Sequence, residues 1–101
     1  MSQRTLAEVM REFMELQAEQ NVVMIDLTEA HLHTAECLAA YVKHNEDSRT
    51  DPVSVDHSAR RLTDAQKDEH KTHVKFKENQ KKLAVLIGNL DALGDLERVR
   101  V

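Results

Sequence analysis

The sequence predicts an all-α chain, a long antiparallel two-helix hairpin of coiled-coil type, with hairpins associating into a four-helix bundle or a larger helical assembly. Three observations carry this reading. Apolar residues recur at steps of three and four along most of the 101 residues, which is the pattern of one face of a helix. Turn-forming residues are scarce, with two glycines, Gly88 and Gly94, and a single proline, Pro52, so the elements are few and long. One wholly polar stretch, Asn45 to Asp51, divides the chain into two similar halves, as the loop of a helical hairpin would. The whole of 1–101 is read as one domain.

The first helix is expected over about 3–45. Thr5-Leu6-Ala7-Glu8 has the form of a capping box, a Thr hydroxyl for the third amide and a Glu reaching back; Ser2 is an alternative cap slightly earlier. Apolar residues then follow heptad spacing at Leu6, Val9, Phe13, Leu16, Val23, Leu27, Ala30, Cys37 and Tyr41. Gln20 and Thr34 are polar interruptions in that seam, and Met10, Met24 and Leu38 widen it on one side. Neither Gly nor Pro interrupts the stretch, so a helix of about 40 residues, roughly 60 Å long, follows.

After the 46–51 loop, Asp51-Pro52 is a helix start, with Asp as N-cap and Pro at the first helical position. The second helix is expected over about 52–96. Its seam runs through Val55, Ala59 and Leu62. Thr63-Asp64-Ala65-Gln66 is a further capping box and would allow a break, but nothing forces one. From Gln66 to Lys82 only Val74 and Phe76 are large and apolar, and the seam there holds Glu69 with Thr72 or His73. The helix then becomes strongly apolar at Leu83, Leu86, Ile87, Leu90 and Leu93, with Val85 off that side. Gly94 suits a C-cap region, and Leu96 to Val101 forms a short tail.

Two stretches exceed what one partner helix can cover. Val22-Val23-Met24-Ile25-Asp26-Leu27 and the run from Leu83 to Leu93 are apolar around more than one face. Burying one such side chain is worth about 1.5–3 kcal/mol, and several left in water would form a binding patch. The expected interface residues are Val22, Val23, Ile25, Leu83, Val85, Leu86, Ile87, Leu90 and Leu93. The expected partner is a second copy of the chain, as a homodimer, or another helical subunit.

Charge narrows the partners further. The net charge is −4 with His neutral, which argues against nucleic acid as the main partner, because neutralising phosphates supplies most of that affinity. Residues 1–45 carry three basic and seven acidic residues, and residues 52–101 carry ten basic and eight acidic, so the halves favour antiparallel contact modestly. Lys67, Lys71 and Lys75 fall at four-residue steps, with Lys77, Lys81 and Lys82 nearby. Such a ridge reads first as a solvated face. No stretch approaches the roughly 20 apolar residues of a membrane span, and no apolar signal core is present. With the single cysteine Cys37 no intramolecular disulfide can form, and a cytoplasmic location, or nuclear in a eukaryote, is the expectation.

Six histidines invite a metal hypothesis: His31, His33, His44, His57, His70 and His73. His33 with Cys37, and His70 with His73, are helical neighbours. A turn centred near residue 52 would bring His31 near His73. A turn centred near 49, which Pro52 as the helix start favours, sets His31 against Lys67 and separates the ligands. The spacings match no zinc pattern, and di-iron bundles use Glu-x-x-His pairs that this chain lacks. No metal and no cofactor are expected. His31 and His73 at the seam edges could instead respond to pH near about 6.5.

Nothing points to catalysis. The chain has no nucleophile elbow or glycine-rich phosphate loop, and no small-molecule substrate is evident. Cys37 reads as a buried, inert thiol. Length and hairpin shape are similar to those of the small secreted WXG-type helical proteins, but this chain has no Trp and its loop is Asn45 to Asp51, so the resemblance implies nothing further. The leading functional reading is a non-enzymatic subunit or adaptor that oligomerises or docks into a larger assembly through apolar helix faces. The alternatives are a small regulator or inhibitor that binds another macromolecule, with nucleic-acid association through the Lys67–Lys82 ridge as one form of it, and a His-rich metal-binding bundle.

Overall fold

The computed structural model describes residues 4–47, 49 and 51–100, with the backbone alone for 96–100; Ser2 and Val101 lie outside it. Two α-helices, α1 (Leu6–Glu46) and α2 (Pro52–Arg100), lie against each other as an antiparallel hairpin, 77 Å in its longest dimension and 15 Å in its shortest. Among the described residues there is no strand, and no helix is long and apolar enough to cross a membrane.

Both starts follow from local chemistry. Thr5 has extended backbone geometry, and its hydroxyl accepts from the Glu8 amide at 3.2 Å. Asp51 does the same for α2, its carboxylate accepting from the Ser54 amide at 2.7 Å, while the Pro52 ring occupies a position where no amide is needed. These bonds satisfy amides that have no partner within the helix, and the Ser54 amide is the main reason the Asp51 carboxyl lies below its ordinary range. The helix passes through Thr63 without a break; the hydroxyl there bonds back to the Ala59 carbonyl at 3.0 Å instead of capping anything.

The C-cap expected at Gly94 is corrected: α2 continues through Gly88 and Gly94, and neither has positive φ. A glycine ends a helix by adopting the left-handed conformation, and here the chain has a seam residue at Leu93 to keep it helical.

The core is a single line of side chains between the helices. On α1 it runs Leu6, Val9, Phe13, Leu16, Gln20, Val23, Leu27, Ala30, Thr34, Cys37, Tyr41 and His44, every one buried or half-buried. On α2 it runs Val55, Ser58, Leu62, Ala65, Glu69, Thr72, Phe76, Asn79, Leu83, Leu86, Leu90 and Leu93, with the same burial. Both lines alternate steps of three and four without interruption, the knobs-into-holes spacing of a coiled coil. Ser58, not Ala59, therefore occupies the seam, where it hydrogen-bonds with His44; Ala59 is only half-buried beside it.

The middle of the seam is polar. Gln20 and Asn79 are both buried. The Gln20 side-chain amide donates to the Phe76 carbonyl across the hairpin at 3.0 Å, and Asn79 is the next seam residue along from Phe76. Gln20 Oε1 and Asn79 Nδ2, an acceptor and a donor, are buried without a hydrogen-bond partner. Each such group costs about 1–3 kcal/mol. The compensation is register: a polar seam residue is cheap only against another polar one.

Candidate interaction face

Helix α1 carries two apolar rows. The first is the seam. The second runs Met14, Ala18, Ile25, Leu32, Ala35, Ala39 and Val42, all exposed. It too advances by threes and fours, with Asn21 and Thr28 filling its missing steps, and it lies on the side of α1 turned away from α2. Exposed Met10, Met24 and Leu38 bridge it to the seam. The contrast in burial is large: Met14, Ile25 and Leu32 are 67%, 59% and 61% exposed, against 3% for Val23 in the seam. Near the loop, Ala35, Leu38, Ala39 and Val42 line a shallow groove closed by Lys43, Glu46 and Asp47. The apolar row is thus exposed along most of α1, with Asn21 and Thr28 as its polar interruptions.

The outer border of the row is acidic. Glu8, Glu15, Glu29 and Glu36 follow one seven-residue register, shared with Val22 and Lys43, and all are exposed. On the same side, next toward the seam, Glu19 meets Lys75 of α2 at 3.9 Å.

The residues expected at an interface divide between the hairpin and its surface. Val23, Leu83 and Leu86 are buried in the seam, and Leu90 and Leu93 are half-buried there; α1 already covers them. Val22, Ile25, Val85 and Ile87 are exposed. Ile25 belongs to the outer row of α1, Val22 and Val85 point away from the seam, and Ile87 flanks it. The run from Leu83 to Leu93 therefore serves mainly the hairpin itself. Met14, Leu32 and Val42 were missed, although the signal was present: the outer row repeats the seam's spacing one or two residues later.

The structure brings His31 and His73 together around one acidic side chain. His31 Nδ1 lies 3.0 Å from Glu69 Oε2, and His31, Gln66, Glu69, His70 and His73 line one shallow pocket. The turn is where Pro52 places it, yet His31 meets Glu69, not Lys67. Two residues are about 200° apart on a helix, so Lys67 faces solvent while Glu69 faces α1. The Glu69 carboxyl is held below its usual value, first by the hydrogen bond from His31. His33 approaches Cys37 at 3.7 Å, with the thiol buried. Among the described residues no three His, Cys, Asp or Glu side chains are grouped to hold a metal ion. The lysine ridge is exposed, with Lys75 turned toward Glu19.

No family model, no curated protein and no solved structure matches the chain.

Proposed function

We propose that this chain is a non-enzymatic interaction module, a helical hairpin in which α2 braces α1 so that α1 can present its outer face to another helical protein or to a second hairpin in a four-helix assembly. The observation that carries the reading is the second apolar row of α1, Met14 to Val42, exposed at coiled-coil spacing. A helix with one apolar stripe is complete inside a hairpin. A helix with two needs a second neighbour, and a helix laid in a groove is a common way of supplying one.

The test is a methyl NMR titration of the chain with a designed helical peptide that carries Leu and Ala at heptad positions. Methyl signals of Ile25, Leu32 and Val42 are expected to shift on addition, while those of Val9, Val23 and Leu86 stay in place. An outer row that does not respond, or a seam that opens to receive the peptide, would contradict the proposal.

A further inference from the structure

The occupant of the outer row of α1 can be specified from its borders. We propose that it is an amphipathic helix from a different protein, with a row of Lys or Arg along one edge. This rests on the docking role proposed above and adds the chemistry of the partner.

Shape comes first. From Met14 to Val42 the row covers 29 residues, about 42 Å at 1.5 Å rise per step, and so takes a partner helix of about eight turns. Large side chains (Met14, Ile25, Leu32, Val42) are separated by small ones (Ala18, Ala39), which leaves holes for the knobs of a facing helix.

Charge then selects among helices. Glu8, Glu15, Glu29 and Glu36 border the row, and none of the four makes an ion pair among the described residues. Residues at this border face the edge positions of any helix laid on the row, where charge decides partner and orientation. A second copy of α1 fits poorly. Laid antiparallel, it would set Glu15 of one copy against Glu36 of the other, or, one heptad along, Glu29 against Glu29 with only Lys43 to offset Glu15, and like charges facing each other are destabilising. Laid parallel, it would press the carboxylate row against the apolar Met10–Met24–Leu38 edge and strip water from charges with no partner. A cationic edge removes both conflicts.

Three synthetic helical peptides distinguish the possibilities by fluorescence anisotropy with the full chain. All share the length of the row. One has apolar heptads and a Lys edge; one has the same heptads and a Glu edge; one has the Lys edge with its heptad positions changed to Ser. The expected result is that the first binds roughly tenfold or more tightly than either other, a margin of the size charge complementarity provides. Added salt and the triple variant Glu15→Gln/Glu29→Gln/Glu36→Gln should both shrink its advantage over the Glu-edged peptide. Equal binding of the Lys- and Glu-edged peptides would overturn the cationic edge, and equal binding of the Ser peptide would reduce the contact to unspecific charge. A chain that sediments as a dimer and becomes a monomer on Leu32→Asp would show a second copy in the row, overturning this occupant while leaving the docking role intact. If no peptide binds and Leu32→Asp changes nothing, both proposals fail.

Discussion

At the scale of single residues, the most informative group is Glu69. It occupies a seam position that a coiled coil would ordinarily fill with an apolar side chain, and it is accommodated by His31 reaching across from α1 at 3.0 Å. Because the folded pKa of Glu69 is lowered from 4.5, the stabilisation it supplies is present above the unfolded value and is lost as pH falls through the folded one. The window for Glu69 is therefore acidic, below about 4.5. Urea unfolding followed by circular dichroism from neutral pH into that window is expected to show a stability loss that Glu69→Gln reduces, and that His31→Gln also reduces by removing the first cause of the shift. An acid limb unchanged from the wild type in both variants would show that the contact is not formed in solution.

At the scale of elements, α2 keeps regular helical geometry through both of its glycines. Gly88 lies within the helix with no positive φ, and a Cβ added there meets nothing within 4 Å. Gly88→Ala should therefore stabilise the chain by about 0.5–1 kcal/mol, because glycine's extra freedom in the unfolded state is removed at no steric cost. A raised midpoint in urea with an unchanged slope is the expected readout; a lowered midpoint would mean that the backbone at Gly88 is not the regular helix described.

Much of each element was legible in the chain. Thr5, Asp51 and Pro52 are start signals whose chemistry is local, and the seam of α1 can be read from Leu6 to Tyr41 by spacing alone. The stop at Gly94 was misread because glycine permits a left-handed turn without requiring it. The seam of α2 was harder because its middle is polar: Glu69 was read in it with Thr72 or His73, but Ser58 and Asn79 are identified only by their register with α1. For the same reason the Leu83–Leu93 run looked like an anchor and an interface at once. Consecutive apolar residues point in several directions on any helix, and only the packed pair reveals that Leu83, Leu86, Leu90 and Leu93 face inward while Val85 and Ile87 do not. The outer row of α1 was only partly read, through Ile25, because its spacing runs beside a stronger seam with the same period.

At the scale of the whole molecule, the hairpin has two unlike surfaces built from the same kind of residue. The seam holds the chain together with a thin core: Val9, Val23, Cys37, Ala65, Leu83 and Leu86 are its buried apolar members, and Gln20 and Asn79 interrupt it at mid-length. The outer row of α1 is as apolar but contributes little to the hairpin, since water reaches its large side chains. Burial thus divides a face that folds the chain from a face left to water. The most direct measurement is a comparison of urea unfolding for Leu86→Asp and Leu32→Asp, chosen because Leu86 is 5% exposed and Leu32 is 61% exposed. Leu86→Asp buries an unpaired charge, which costs several kcal/mol, and should leave the chain largely unfolded. Leu32→Asp should keep the wild-type midpoint to within about 0.5 kcal/mol, as surface substitutions do. A Leu32→Asp variant that unfolds as readily as Leu86→Asp, or a Leu86→Asp variant with wild-type stability, would contradict the division.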